Sequence, residues 1–152
     1  MVRRFVKIVA VGFGSGLVPL MPGTAGTLVG IPLYLLFSRL AWPLWLLSIT
    51  ALSFLAVFVA GEAEKVFRQR DPSRVVIDEI AGFQFALFAV TPSVMHVIAG
   101  FLLFRFFDIA KPFPIRYLDR NMQGGVGVVA DDIAAGVLAG ILLHFLIRYV
   151  GV

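Results

Sequence analysis

Four runs without a single Asp, Glu, Lys or Arg divide this chain: Ile8 to Ser38, Leu40 to Gly61, Ile80 to Phe104, and Ile133 to Ile147. A membrane span takes about 20 consecutive apolar residues, so the second run reads as one helix near Ala41 to Ala60. The first run is too long for one helix, and Gly12, Gly14, Gly16, Pro19, Pro22 and Gly23 break it. It reads as a short or bent opening segment, an irregular loop, and a helix from about Thr24 to Phe37. The third run is interrupted by Thr91-Pro92-Ser93. Proline disfavours α geometry at the residue before it, so two short helices in a hairpin fit better than one straight span. The last run opens at Asp131-Asp132 and continues to about Tyr149. These segments predict an all-α fold, a polytopic membrane bundle of about five to six helices with a Gly/Pro-rich loop near the N-terminus. Residues 1–152 form a single membrane-embedded domain. Composition agrees: 14% of the residues are charged, against about 25% in soluble domains, and mean hydropathy is +0.97.

The placement of charge gives an orientation. Arg3, Arg4 and Lys7 precede the first run, Lys65, Arg68, Arg70 and Arg74 separate the second from the third, and Arg105, Lys111, Arg116 and Arg120 follow the third. Only Arg39 and Arg148 fall elsewhere. Basic residues in alternate connections mark the cytoplasmic side, and the acids lie there or at its edge. The expected topology has five crossings, with the Gly-rich opening and first helix counted as one, and an external C-terminus. A net charge of +4 spread between apolar runs does not describe a nucleic-acid groove. No cleavable signal pattern is expected, because the first apolar run leads into Gly and Pro rather than a cleavage region. The absence of cysteine excludes disulfides, thiolate metal sites and a cysteine nucleophile.

The densest charge lies in FRFFDIAKPFPIRYLDRNMQGGVGVVADDIAAG, Phe104 to Gly136, beside two prolines and a GGVG turn. Arg105, Asp108 and Lys111 are spaced to form one polar stripe on a helix. Charge at the bilayer centre costs at least about 2.5–3.5 kcal/mol per residue, so this stripe should face an interior or the interface. Arg116 and Arg120 add planar guanidinium forks suited to phosphate. Asp78-Glu79 and Asp131-Asp132 each open an apolar run. One acidic pair at a helix start is explained by the dipole, worth about 0.3–1 kcal/mol. Two pairs beside one membrane face invite a cation, and oxygen-only ligands suit Mg²⁺. Glu79, Asp131 and Asp132 are the main candidate ligands. Asp78 and Asp108 are further ligands or bases, Asp131 is a further candidate catalytic group, and Asp119 is a weaker candidate.

Gly12 to Thr27, GFGSGLVPLMPGTAGT, has the glycines that let a backbone approach a ligand and the hydroxyls that donate to one. Gly14, Ser15, Gly16, Thr24 and Thr27 are therefore candidates to hold phosphate with Arg105, Lys111, Arg116 and Arg120. The stretch lacks the Gly-Lys-Ser/Thr ending of a P-loop, and its structural alternative is a break that lets a membrane helix bend. His96 and His144 stand alone in apolar runs and read as hydrogen-bonded interior or interface residues. Without a cysteine, an Asp-x-Asp pair or histidines with suitable neighbours, phosphate chemistry here reduces to metal-assisted attack by water.

The motifs GFGSGL, PGTAGT, VIDEIAG, FRFFDIAKPFPIRYLDR and GGVGVVADDIAAG, in this order, resemble those of the phosphatidylglycerophosphatase A family. They occupy roughly Val11–Gly30 and Asp71–Gly136, and the cluster FR-x-x-D-x-x-KP-x-PIR followed by GG-x-G and DD-x-x-AG is specific. The resemblance implies an all-helical, Mg²⁺-dependent membrane phosphatase that converts phosphatidylglycerophosphate to phosphatidylglycerol. It also implies the bacterial cytoplasmic (inner) membrane, with the active site on the cytoplasmic face. Two other functions use membrane carboxylates. A CDP-alcohol-type phospholipid transferase would show DG-x-x-AR, which is absent. A small transporter would place its acids near mid-membrane, whereas here they bracket helix ends.

Overall fold

The computed structural model describes residues 2–151 and is helical throughout. A short helix α1 (Val2–Ala10) is followed by a 3₁₀ segment (Gly12–Leu17), then α2 (Pro22–Phe37), α3 (Trp42–Phe67), α4 (Ile77–Ala86), α5 (Val94–Ala110), α6 (Ile115–Asn121) and α7 (Gly124–Tyr149). The 3₁₀ segment is itself kinked, with Phe13 and Gly14 at positive φ. These eight helical segments exceed the five or six expected because α1, the 3₁₀ segment and α6 are too short to show as apolar runs.

Local sequence sets the boundaries. Pro22 and Pro43 stand in the first turns of α2 and α3, where the missing N–H costs nothing. Ser93 caps α5, its Oγ accepting from the His96 amide at 3.0 Å. Lys111 closes the same helix in left-handed geometry, and Pro112 bars its continuation. The hairpin at Thr91–Ser93 is present as expected.

The start of the last helix differs from expectation. Asp131 and Asp132 do not open it; α7 begins at Gly124 and carries them two turns inside. GGVG is not a separate turn but the helix's first turn, and its glycines serve different ends: Gly124 takes a positive φ, Gly125 lies against α3, and Gly127 lies against the Met122 backbone. A Cβ on Gly125 would strike the Val57 carbonyl oxygen.

Helix α4 is the hub. It is buried on nearly every side and packs against α2, α3, α5 and α7. Gln84 ties it to α2, its Nε2 donating to the carbonyls of Gly30 (3.0 Å) and Ile80 (3.1 Å). Phe83, Phe104, Tyr34 and Leu143 form one core around it, and Val59, Ala63, Val76 and Ile80 another. Outside this core, Leu47, Phe54 and Phe58 on α3, and Ile141 and Phe145 on α7, are exposed. That exposure suits a lipid solvent and would be a liability in water. Among the described residues, two helices, α3 and α7, are long and apolar enough to cross a membrane. The expected hairpin arms are shorter: at about 1.5 Å per residue, α4 extends only ~15 Å.

Candidate functional site

The polar ends of α2, α4, α5 and α7 meet around a cavity of about 360 Å³. Among the described residues, Asp71, Asp78, Glu79, Asp108, Asp131 and Asp132 line it, opposed by only Arg105 and Lys111, with Thr24 and Ser73 supplying hydroxyls. Each acid has a structural reason to be there. Asp78 and Glu79 occupy the first turn of α4, where the dipole favours negative charge. Asp108 lies in the last turn of α5, the unfavourable end, and is offset by Arg105, whose Nη1 donates to its Oδ2 at 2.5 Å. Asp132 faces α4 from the interior of α7.

Two subsets separate within this cavity. Carboxylate oxygens of Asp78, Glu79 and Asp132 all come within 4.8 Å of one another. Asp78 Oδ1 and Glu79 Oε2 are buried without a hydrogen-bond partner. Burial, with Glu79 alongside, pushes the Asp78 carboxyl well above its ordinary range; burial likewise raises Glu79. Orphaned, mutually repelling carboxylate oxygens at this spacing are what a hard divalent cation would satisfy. The donor set therefore fits Mg²⁺.

Asp131 belongs to the second subset. Lys111 Nζ donates to its Oδ2 at 2.6 Å and to Asp119 Oδ1 at 2.7 Å. Partial burial alone would lower the Lys111 ammonium's pKa; these two hydrogen bonds outweigh it and push it up. Asp131 Oδ1 remains buried and unpartnered. Arg105, paired with Asp108, also reaches the first subset, with Nη1 4.0 Å from Glu79 Oε1.

The expected phosphate-binding residues divide in the same way. Thr24, Arg105 and Lys111 line the cavity. Thr27 is buried, its hydroxyl donating to the Gly23 carbonyl at 2.9 Å. Gly14, Ser15 and Gly16 are not part of the lining. Ser15 Oγ donates to the Gly12 carbonyl at 2.9 Å, and Gly16 packs on the Arg74 backbone. Arg116 and Arg120 line a neighbouring cavity instead. His96 and His144 are remote from the acids, their Nδ1 atoms 2.7 and 2.8 Å from the Thr91 and Gly140 carbonyls.

Sequence reasoning missed Asp71 and Gly23. Asp71 comes to the cavity only through the fold of the α3–α4 connection. Gly23 lies so close to the acids that a Cβ there would meet Glu79 Oε1 and stand 3.0 Å from Arg105 Nη1. Its signal was the PGT start of α2.

Comparison with known proteins places this geometry in context. A family model described as Phosphatidylglycerophosphatase A matches residues 8–147. The chain is similar to Phosphatidylglycerophosphatase A of Escherichia coli, 41% identical over 140 residues covering 91% of this chain and 81% of that protein. The protein of the same description from Haemophilus influenzae is 40% identical, covering 95% of this chain and 89% of its own. A Bacteroides thetaiotaomicron protein described as a candidate phosphatidylinositol-3-phosphatase is 42% identical, covering 90% and 89%. No solved structure matches.

Proposed function

The chain belongs to the phosphatidylglycerophosphatase A family, a family of phosphatases, and on that premise we propose that it hydrolyses phosphatidylglycerophosphate to phosphatidylglycerol and phosphate. The observation that carries the chemical reading is the charge imbalance of the cavity, six carboxylates against two cations. A phosphomonoester dianion cannot enter such a site without added positive charge. Asp78, Glu79 and Asp132 are the residues that would hold Mg²⁺. Bound there, the ion would offset the negative charge and make attacking water more acidic.

The protein's own groups do the rest. Arg105 and Lys111 hold the phosphoryl oxygens, with Thr24 donating from the first turn of α2. Lys111 fixes Asp131 through Oδ2, leaving Oδ1 free to orient a water and take its proton. Attack at phosphorus breaks the ester P–O bond; the glycerol oxygen leaves with a proton drawn from solvent, and Asp131 returns to solvent the proton it took from water. Asp108 keeps Arg105 aimed at the cavity. Leu20 and Met21, exposed at its rim beside the exposed Ile109, face the acyl region of a lipid. We place the site on the cytoplasmic face of the bacterial inner membrane, on the side of the basic connections, with α3 and α7 crossing.

The test is phosphate release by purified protein in neutral detergent with Mg²⁺. Phosphatidylglycerophosphate is expected to be cleaved at least tenfold faster than phosphatidylinositol 3-phosphate. The reverse preference would support the alternative headgroup in the Bacteroides relative's description. No release from any lipid monoester would overturn the phosphatase mechanism.

The same assay separates the two glycine-rich stretches. Gly23→Ala should lower turnover at least tenfold, because its methyl group displaces Glu79 or Arg105. Ser15→Ala should stay within about threefold, since only a local hydrogen bond worth roughly 1 kcal/mol is lost. Equal losses at both positions would return phosphate binding to the 3₁₀ segment.

A further inference from the structure

Beside the acidic cavity lies a second cavity of about 460 Å³ with the opposite character. Its charged lining is Lys111, Arg116 and Arg120, and Phe113 and Tyr117 stand exposed at its sides. Arg116 and Arg120 are one turn apart on α6 and present one face. The acid on that helix, Asp119, is taken by Lys111. Among the described residues neither arginine forms an ion pair. Two guanidinium forks without a carboxylate form a receptor for a phosphate oxyanion. Lys111 lines both cavities, so an anion here is separated from the reacting phosphate by one side chain.

We propose that Arg116 and Arg120 bind the internal phosphodiester of the substrate lipid while its terminal phosphomonoester occupies the acidic cavity. This rests on the phosphatase reading above and adds the specificity device that it lacks. A lipid with two phosphates joined by a glycerol can occupy both cavities across Lys111; a lipid with a single phosphomonoester can occupy only one. Phe113 and Tyr117, an apolar ring and an amphipathic one, set this subsite at the membrane–water boundary, where the phosphodiester of a bilayer lipid lies.

The experiment compares phosphatidylglycerophosphate with phosphatidic acid, which has the monoester alone, in neutral detergent micelles with Mg²⁺. The variants are Arg116→Ala/Arg120→Ala and the charge-conserving Arg116→Lys/Arg120→Lys, with thermal melting as the check on folding. In the alanine pair, kcat/KM for the two-phosphate lipid should fall at least tenfold more than for phosphatidic acid, mainly through KM. The lysine pair should recover part of that difference. An equal fall on both lipids would overturn the proposal, as would no fall on either. Stimulation of wild-type phosphatidic acid cleavage by added phosphatidylglycerol, lost in the alanine pair, would assign the subsite to a neighbouring lipid and also overturn it. A wild-type protein that cleaves neither lipid would instead overturn the phosphatase reading.

Discussion

Asp132→Asn, Asp78→Asn and Glu79→Gln should each reduce phosphate release at least about 100-fold. A Lewis-acid cation is worth several kcal/mol of transition-state stabilisation, and each ~1.4 kcal/mol is tenfold in rate. The stability of the cation-free protein should move the other way. Like charges crowded in a buried site oppose each other's ionisation, and Asp78 Oδ1 and Glu79 Oε2 have no hydrogen-bond partner. Removing one charge relieves that repulsion, so in chelator each variant should melt at or above the wild-type temperature. Mg²⁺ should raise the wild-type melting temperature and do so much less in the variants. Glu62→Gln is the control: its pair with Lys65 is at the surface, worth about 0–1 kcal/mol, and neither readout should change. Full activity together with an unchanged Mg²⁺-induced shift in both Asp78→Asn and Asp132→Asn would remove this cluster as the metal centre.

Much of this cavity's charged lining is legible in the sequence, for a physical reason. A chain this apolar cannot scatter charge, so its acids mark the few places where burial is compensated. Asp78-Glu79 stood out for that reason, and α4 does begin there. What could not be read was the division of labour. Asp131 and Asp132 are adjacent in sequence but about 100° apart on a helix, and only Asp132 faces Asp78 and Glu79, while Asp131 turns to Lys111. The glycines misled for a similar reason. In GGVG, Gly125 permits close packing of α7 on α3 while Gly124 supplies a positive φ at the helix start, and sequence alone does not distinguish the two uses. Arg116 and Arg120 read as part of one phosphate clamp because spacing does not reveal that α6 presents them to a different cavity.

Gly136→Val should be the most damaging single change away from the charged residues, because the crossing of α4 and α7 leaves no room for a side chain. A Cβ on Gly136 would run into the Gly82 carbonyl oxygen, and one on Gly82 would stand 2.5 Å from the Asp132 carbonyl oxygen. In a membrane, helices associate through such small-residue contacts, since lipid supplies no hydrophobic drive between them. Overpacking typically costs about 1–3 kcal/mol; here the obstacle is backbone, which has no rotamer to yield, so the upper end applies. The carboxylates share this geometry. Asp78 lies four residues before Gly82 and Asp132 four before Gly136, so each acid sits one turn from the contact, on the same helix face. Pushing the helices apart therefore separates the carboxylates proposed as metal ligands, and a displacement of about 1 Å can cost 100-fold in rate. Gly136→Ala, the smaller change, should lower the melting temperature and reduce activity more than tenfold. It should also weaken the Mg²⁺-induced thermal shift although every carboxylate remains. Val137→Leu, on the exposed face of α7, should alter none of these. Wild-type stability and activity in Gly136→Ala would show that the two helices have slack at this crossing, and that the ligand spacing is set elsewhere.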